Sequence, residues 1–182
     1  MRSAKLLIPF GVPMNEDYRN YVLENAPAAR QILESEDFRR LLDFPRHVYT
    51  NTYDHCLRVA VCMIWLSEKT GVDVESAVKI GLLHDLCYVN YYQKNDHPGL
   101  YCFYHPEEAA DNAGRLFGLT QEEDRAIRAH MFPLSLHLPT SRLAFTLIMA
   151  DKLVASYEVL SGFSAMRRRL KAMAEKRILK TA

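Results

Sequence analysis

Cysteine is scarce, with four residues in a chain of 182, and none stands in a CxxC pair. That spacing speaks against a cysteine zinc site. Cys56, Cys62 and Cys87 fall within apolar helical patterns, where a free thiol behaves as a small hydrophobe. Together with Cys102 they imply a reducing cytoplasm and no disulfides. No apolar run approaches the roughly 20 residues of a membrane-spanning helix. Charge of one sign is also missing: 23 Lys and Arg face 22 Asp and Glu, a net charge of +1. The whole chain therefore offers no electrostatic argument for a nucleic-acid or membrane partner. The segment 1–10 has two basic residues and a short apolar patch, but Pro9 and Pro13 interrupt the region, which reads against a signal peptide. Strand signals are weak. Residues 6–10 form the one extended candidate, and Pro9 argues against a central strand there.

What is present is helical periodicity. The seven glycines and eight prolines fall mostly between periodic segments, as in helices joined by short loops. Asn15 can cap a short helix over 16–24, and a second helix is expected from Pro27 to Leu42, ended by Phe44-Pro45. Asn51 or Thr52 caps a helix that runs to Thr70, with Leu57, Val61, Ile64 and Trp65 on one buried face and Gly71 as its stop. Asp73 starts the helix that carries Ala77, Ile80 and Leu83. A polar and aromatic loop is expected over 88–104, the length of a lid or of an ordinary surface excursion. His105-Pro106 then opens a helix that ends near Gly118. Thr120-x-x-Glu123 is a capping-box pattern, and its helix closes before Pro133. Ser141 precedes a strongly apolar helix interrupted by Asp151. The tail carries Arg167, Arg168, Arg169, Lys171, Lys176, Arg177 and Lys180 against the single acid Glu175, a solvated basic face in the simplest reading. The length suits a single all-α domain over 1–182, with a core at about 46–160, an N-terminal helical extension over 1–45 and a basic C-terminal helix over 164–182.

Two features resist a purely structural explanation. His84-Asp85 ends the apolar run Ala77–Leu83, and Asp151 sits mid-helix among aliphatics. A buried charge is costly unless it is paired, hydrogen-bonded or metal-bound. Set out in order, the candidates are His55, His84-Asp85, His105, His130 and Asp151, each on a different helix except the adjacent pair. Helices packed in a bundle can converge such groups on one point. Neutral imidazole with carboxylate suits zinc, iron, manganese and related divalent ions.

The ordered set His55, His84-Asp85 and Asp151, with its flanks Tyr53-Asp54-His55-Cys56-Leu57, Gly81-Leu82-Leu83-His84-Asp85 and Ile148-Met149-Ala150-Asp151-Lys152, resembles the HD-domain superfamily of metal-dependent phosphohydrolases. The likeness spans about 46–158. It implies an HD-like helical bundle in which His55, His84, Asp85 and Asp151 bind one metal. His105 and His130 are similar to the two further positions of binuclear members, with Asp85 as the bridge, an arrangement shared with enzymes that cleave symmetrical dinucleoside polyphosphates. The cofactor so implied is a divalent transition metal in two copies, iron or manganese before zinc, cobalt, nickel or magnesium. Two ions ~3.5–4 Å apart activate water and clamp phosphoryl oxygens. Asp85 and Lys152 are then the catalytic candidates. Arg46, Arg58 and Lys152 are the candidates for substrate phosphate, although Arg58 could equally hold Asp54 at i, i+4. His47 is a secondary pocket candidate, and His97 and His137 read as loop histidines.

The expected activity is hydrolysis of a phosphoester or phosphoanhydride, in a nucleotide or dinucleotide. Two alternatives stay open: a di-iron oxygenase of the same fold, and a metal-containing regulatory domain without turnover. The expected partner is a small phosphorylated molecule, in a cytoplasmic protein compatible with a homo-oligomer.

Overall fold

The computed structural model describes residues 16–46, 50–90 and 99–181, with side chains described for 18–46, 50–90 and 99–162. Eight α-helices and one two-residue hairpin make up its regular structure among these residues, together with two short 3-10 turns. The helices are α1 (Glu16–Asn25), α2 (Arg30–Glu34), α3 (Glu36–Arg39), α4 (Thr52–Thr70), α5 (Val74–Leu83), α6 (Tyr101–Phe117), α7 (Gln121–Ala129) and α8 (Arg142–Thr181). The hairpin pairs β1 (Pro45–Arg46) antiparallel with β2 (Thr50–Asn51), Arg46 opposite Thr50. The all-α expectation holds. The extended candidate at 6–10, the cap at Asn15, and His47 and His97 lie outside the described residues.

α4 is the central element and packs against α1, α5 and α8. Its start is set by Asn51, whose Oδ1 accepts the Asp54 amide at 2.8 Å. Its end is set by Gly71, which takes the left-handed conformation at φ 68°. One buried face was expected. Instead, residues from His55 to Ser67 are buried nearly all round the helix, and Trp65 is only partly covered. A helix apolar on all sides belongs in the middle of a core. α5 crosses α4 closely at Gly81, where an added Cβ would lie 2.9 Å from the Ala60 Cα.

Three expectations about elements require correction. The single helix expected over 27–42 is broken into a 3-10 turn (Pro27–Ala29), α2, α3 and a second 3-10 turn (Arg40–Asp43). Ser35 causes the main break. Its backbone is extended and its hydroxyl accepts the Phe38 amide at 3.1 Å, so it caps a new helix instead of continuing the old one. α6 begins at Tyr101, one turn earlier than His105, and keeps Pro106 inside the helix. The tail is helical as expected, but its helix does not begin near 164, because the backbone of α8 runs unbroken from Arg142 to Thr181. The capping box at Thr120 and Glu123 forms with both reciprocal hydrogen bonds.

Candidate metal centre

Five helices deliver the six sequence-selected side chains to one buried point. His55 lies in the first turn of α4, and His84 caps the C-terminus of α5 with Asp85 directly after it. His105 lies in the second turn of α6, His130 caps the C-terminus of α7, and Asp151 faces inward from α8. All six are at most 2% exposed, a degree of burial that rules out solvated helix ends as the explanation of the histidines.

The imidazoles share one device. The Nδ1 of His84 is 3.0 Å from the Gly81 carbonyl, that of His130 is 2.7 Å from the Ile127 carbonyl, and that of His105 is 2.7 Å from the Tyr101 carbonyl. The Nδ1 of His55 meets the Glu158 carboxylate at 2.9 Å. An Nδ1–H that donates to each of these acceptors fixes the ring and turns the Nε2 lone pair to the centre. For His84 and His130 the acceptors are carbonyls of the last helical turn, where the regular ladder ends; the Ile127 carbonyl also accepts the His130 backbone amide at 3.2 Å.

The Nε2 atoms then surround two carboxylates. His55 Nε2 is 3.2 Å from Asp151 Oδ1 and 3.6 Å from Asp85 Oδ2. His84 Nε2 is 3.3 Å from Asp85 Oδ2 and 3.8 Å from Asp151 Oδ1. On the other side of the same carboxylate, Asp85 Oδ1 is 3.3 Å from His105 Nε2 and 3.7 Å from His130 Nε2. The donors thus form two groups with Asp85 in common: His55, His84 and Asp85, and Asp85, His105 and His130.

Residues 52–156 match the family model of the HD domain. The chain belongs to the HD domain family. No curated protein and no solved structure matches the chain. Membership places this HD domain in a superfamily whose characteristic members are metal-dependent phosphohydrolases, and the buried His and Asp groups are compatible with divalent metal.

The donor chemistry of the HD site fits such a metal independently of the family. Both Asp85 oxygens and His84 Nε2 are buried without a hydrogen bond of ordinary geometry. His105 Nε2 and His130 Nε2 face each other at 3.0 Å. With both Nδ1 atoms committed as donors, two lone pairs meet there, and they need a cation or a shared proton between them. Burial alone would raise the Asp85 carboxyl, but Arg46 and His84 hold it well below the usual carboxylate range. Burial is likewise outweighed at Asp151 by the His55 hydrogen bond and neighbouring imidazoles, which hold it ionised. Burial and the adjacent His105 and His84 push His130 well below the ordinary histidine value, so it stays neutral. The ionised carboxylates and the neutral His130 are in the forms a metal requires.

The cationic candidates divide. Arg46, buried and delivered by β1, is ion-paired to Asp85 Oδ2. Lys152, about half exposed, places Nζ 2.8 Å from Asp151 Oδ2 and 3.7 Å from the Met131 sulfur. Arg58 is engaged elsewhere: its Nη1 donates to Glu158 Oε1 at 2.8 Å and to Thr50 Oγ1 at 3.2 Å. His137 sits outside the cluster, 2.6 Å from Glu107.

Two residues near the centre escaped the sequence reading. Glu158 lies two helical turns after Asp151, and that spacing was the available signal, since i and i+7 share a helix face. Tyr101 stacks on the His105 ring with centroids 4.3 Å apart and planes 5° from parallel. It went unseen because the loop was expected to continue through 104.

Proposed function

We propose that this HD domain is a metal-dependent phosphohydrolase that cleaves a phosphoester or phosphoanhydride bond in a nucleotide or dinucleotide, at a two-metal centre. The observation that carries the reading is the sharing of Asp85 between two buried donor groups, each completed by inward-facing Nε2 atoms. His55, His84, Asp85 and Asp151 hold one ion, and Asp85, His105 and His130 hold the other, iron or manganese by ligand type. When bound, the centre supplies Lewis acidity towards phosphoryl oxygens and lowers the pKa of water.

The chain's own residues do the rest. The two carboxylates supply the anionic oxygens of the centre, and the four rings, locked by their Nδ1 contacts, hold it rigid. Arg46 is within reach of Asp85 and is the cation best placed to meet a substrate phosphate when that carboxylate is otherwise engaged. Lys152, half exposed beside Asp151, neutralises charge nearer the solvent. Arg58 supports Glu158 and is not assigned to substrate. Tyr101, stacked on His105, walls the site with an aromatic face.

The test is elemental analysis combined with a hydrolysis panel of nucleotides and dinucleoside polyphosphates. Wild-type protein is expected to hold about two ions and to release phosphate or nucleotide. Asp85→Asn should lose both ions and turnover, and His130→Ala should keep about one ion with the fold intact. Oxygen consumption by an iron-loaded sample without phosphate release would replace the hydrolase with the oxygenase. Full metal content in Asp85→Asn would remove the site assignment.

A further inference from the structure

Thr50, Arg58 and Glu158 are not ligands of either ion, yet they form a connected and partly buried relay that ends on His55. Glu158 is 6% exposed, beyond the end of the family match at residue 156. Its two oxygens are divided: Oε2 lies 2.9 Å from His55 Nδ1, and Oε1 accepts from Arg58 Nη1 at 2.8 Å. The same Nη1 reaches Thr50 Oγ1 at 3.2 Å, and Thr50 stands opposite Arg46 in the hairpin. His55 turns its other nitrogen, Nε2, to Asp151 and Asp85. Glu158 therefore touches the ring on the side away from the centre and is not a ligand.

We propose that Glu158, anchored by Arg58, is the positioning residue for His55: it fixes the Nδ1–H tautomer and the ring orientation, and so sets the affinity of the ion held by His55, His84, Asp85 and Asp151 without touching that ion. The inference rests on the two-metal reading of the site. Three of the four rings are fixed by backbone carbonyls, which a mutation cannot remove. His55 alone is fixed by a charged side chain, which also makes its nitrogen a better donor to the ion. Carboxylate partners of this kind contribute about 10–100-fold in metal affinity. Arg58 occupies the second oxygen of the carboxylate and so holds Glu158 in place against His55. The relay also links the ligand to the hairpin that delivers Arg46, so metal position and phosphate-facing cation share one support.

Chelator-treated full-length protein titrated with Co(II) tests this, with the visible d–d spectrum reporting ligand geometry and elemental analysis the stoichiometry. In Glu158→Ala, one Co(II) should bind about 10–100-fold more weakly, with an altered spectrum, while the ion at Asp85, His105 and His130 binds as in wild type. Glu158→Gln, whose amide oxygen can still accept from Nδ1, should recover most of the loss. Arg58→Gln should weaken the same ion and not the other, and it carries the test if the alanine variant fails to fold. Unchanged affinity and spectrum in Glu158→Ala, or in Arg58→Gln where the alanine variant does not fold, would overturn the positioning role alone. So would equal weakening of both ions, which would mark a general structural role. A wild-type protein that binds no Co(II) would overturn the two-metal reading and this inference with it.

Discussion

Gly81 shows how much of the site depends on a residue with no side chain. Its carbonyl orients His84, and its missing Cβ lets α5 approach the backbone of α4, where the space is only 2.9 Å to the Ala60 Cα and 3.2 Å to the Met63 Cγ. An alanine there must push backbone, not a flexible tip. Gly81→Ala is expected to destabilise by about 1–3 kcal/mol, the usual range for overpacking. Gly114 is a control on α6, exposed and with nothing within 4 Å of an added Cβ. Gly114→Ala should stabilise by about 0.5–1 kcal/mol through helix propensity. Urea unfolding of both variants measures the difference, and equal effects would remove the close-approach argument. The clustered histidines were legible because polar residues next to apolar flanks stand out. The Gly81 contact was not, because the string Gly81-Leu82-Leu83 carries no trace of which helix lies across it.

At the scale of elements, the sequence was most informative where a cap is local and least where tertiary pairing decides. The ends of α4 and the capping box of α7 follow from Asn51, Gly71, Thr120 and Glu123, each acting within four residues. The break at Ser35 is equally local, but Ile32, Leu33, Phe38 and Leu41 read as one apolar face across it, and that periodicity concealed the cap. The early start of α6 goes with packing of its first turns, where Tyr101 and His105 meet the centre. Glu123 shows local and tertiary roles combined, since it closes the capping box and its Oε2 also accepts Lys79 Nζ of α5 at 2.8 Å. Burial would raise its pKa, but the Lys79 hydrogen bond and the Thr120 backbone amide outweigh that and lower it. A lowered carboxyl stabilises above its unfolded value, about 4.3, and the contribution is lost as pH falls through the folded value. Wild type should therefore be more stable than Glu123→Gln by a constant margin above about pH 5.5, and the margin should shrink as pH falls below the unfolded value. Melting temperatures of the pair between about pH 7 and 2.5 measure it; a margin independent of pH would exclude the ionised contact as its source.

For the molecule as a whole, the question is whether the centre holds the fold together or the fold holds the centre. Most of the core is far simpler than the site: α4, α5 and α8 pack through residues such as Met63, Ile80, Leu82 and Leu147, which are fully buried and need no ion. No helix among the described residues is long and apolar enough to cross a membrane. Against that core stand two carboxylates and four imidazoles in one pocket. Arg46 and Lys152 supply cations to Asp85 and Asp151, which offsets part of their cost without metal. The chelated protein is therefore expected to stay folded, unlike a small zinc module that collapses without its ion. An ion that binds the native state still adds stability as RT ln(1 + [L]/Kd), about 2.7 kcal/mol at a hundredfold excess over Kd. The melting temperature with Mn(II) should exceed that with chelator by several degrees, rise with the logarithm of Mn(II) concentration, and show no increment in Asp85→Asn. The variant also leaves Arg46 buried without its carboxylate, so its metal-free melting temperature should fall below that of chelated wild type. Loss of the helical circular-dichroism signal on chelation alone would reverse the order of dependence and make the ions part of the core. An unchanged increment in Asp85→Asn would show that Mn(II) stabilises the protein from some other position.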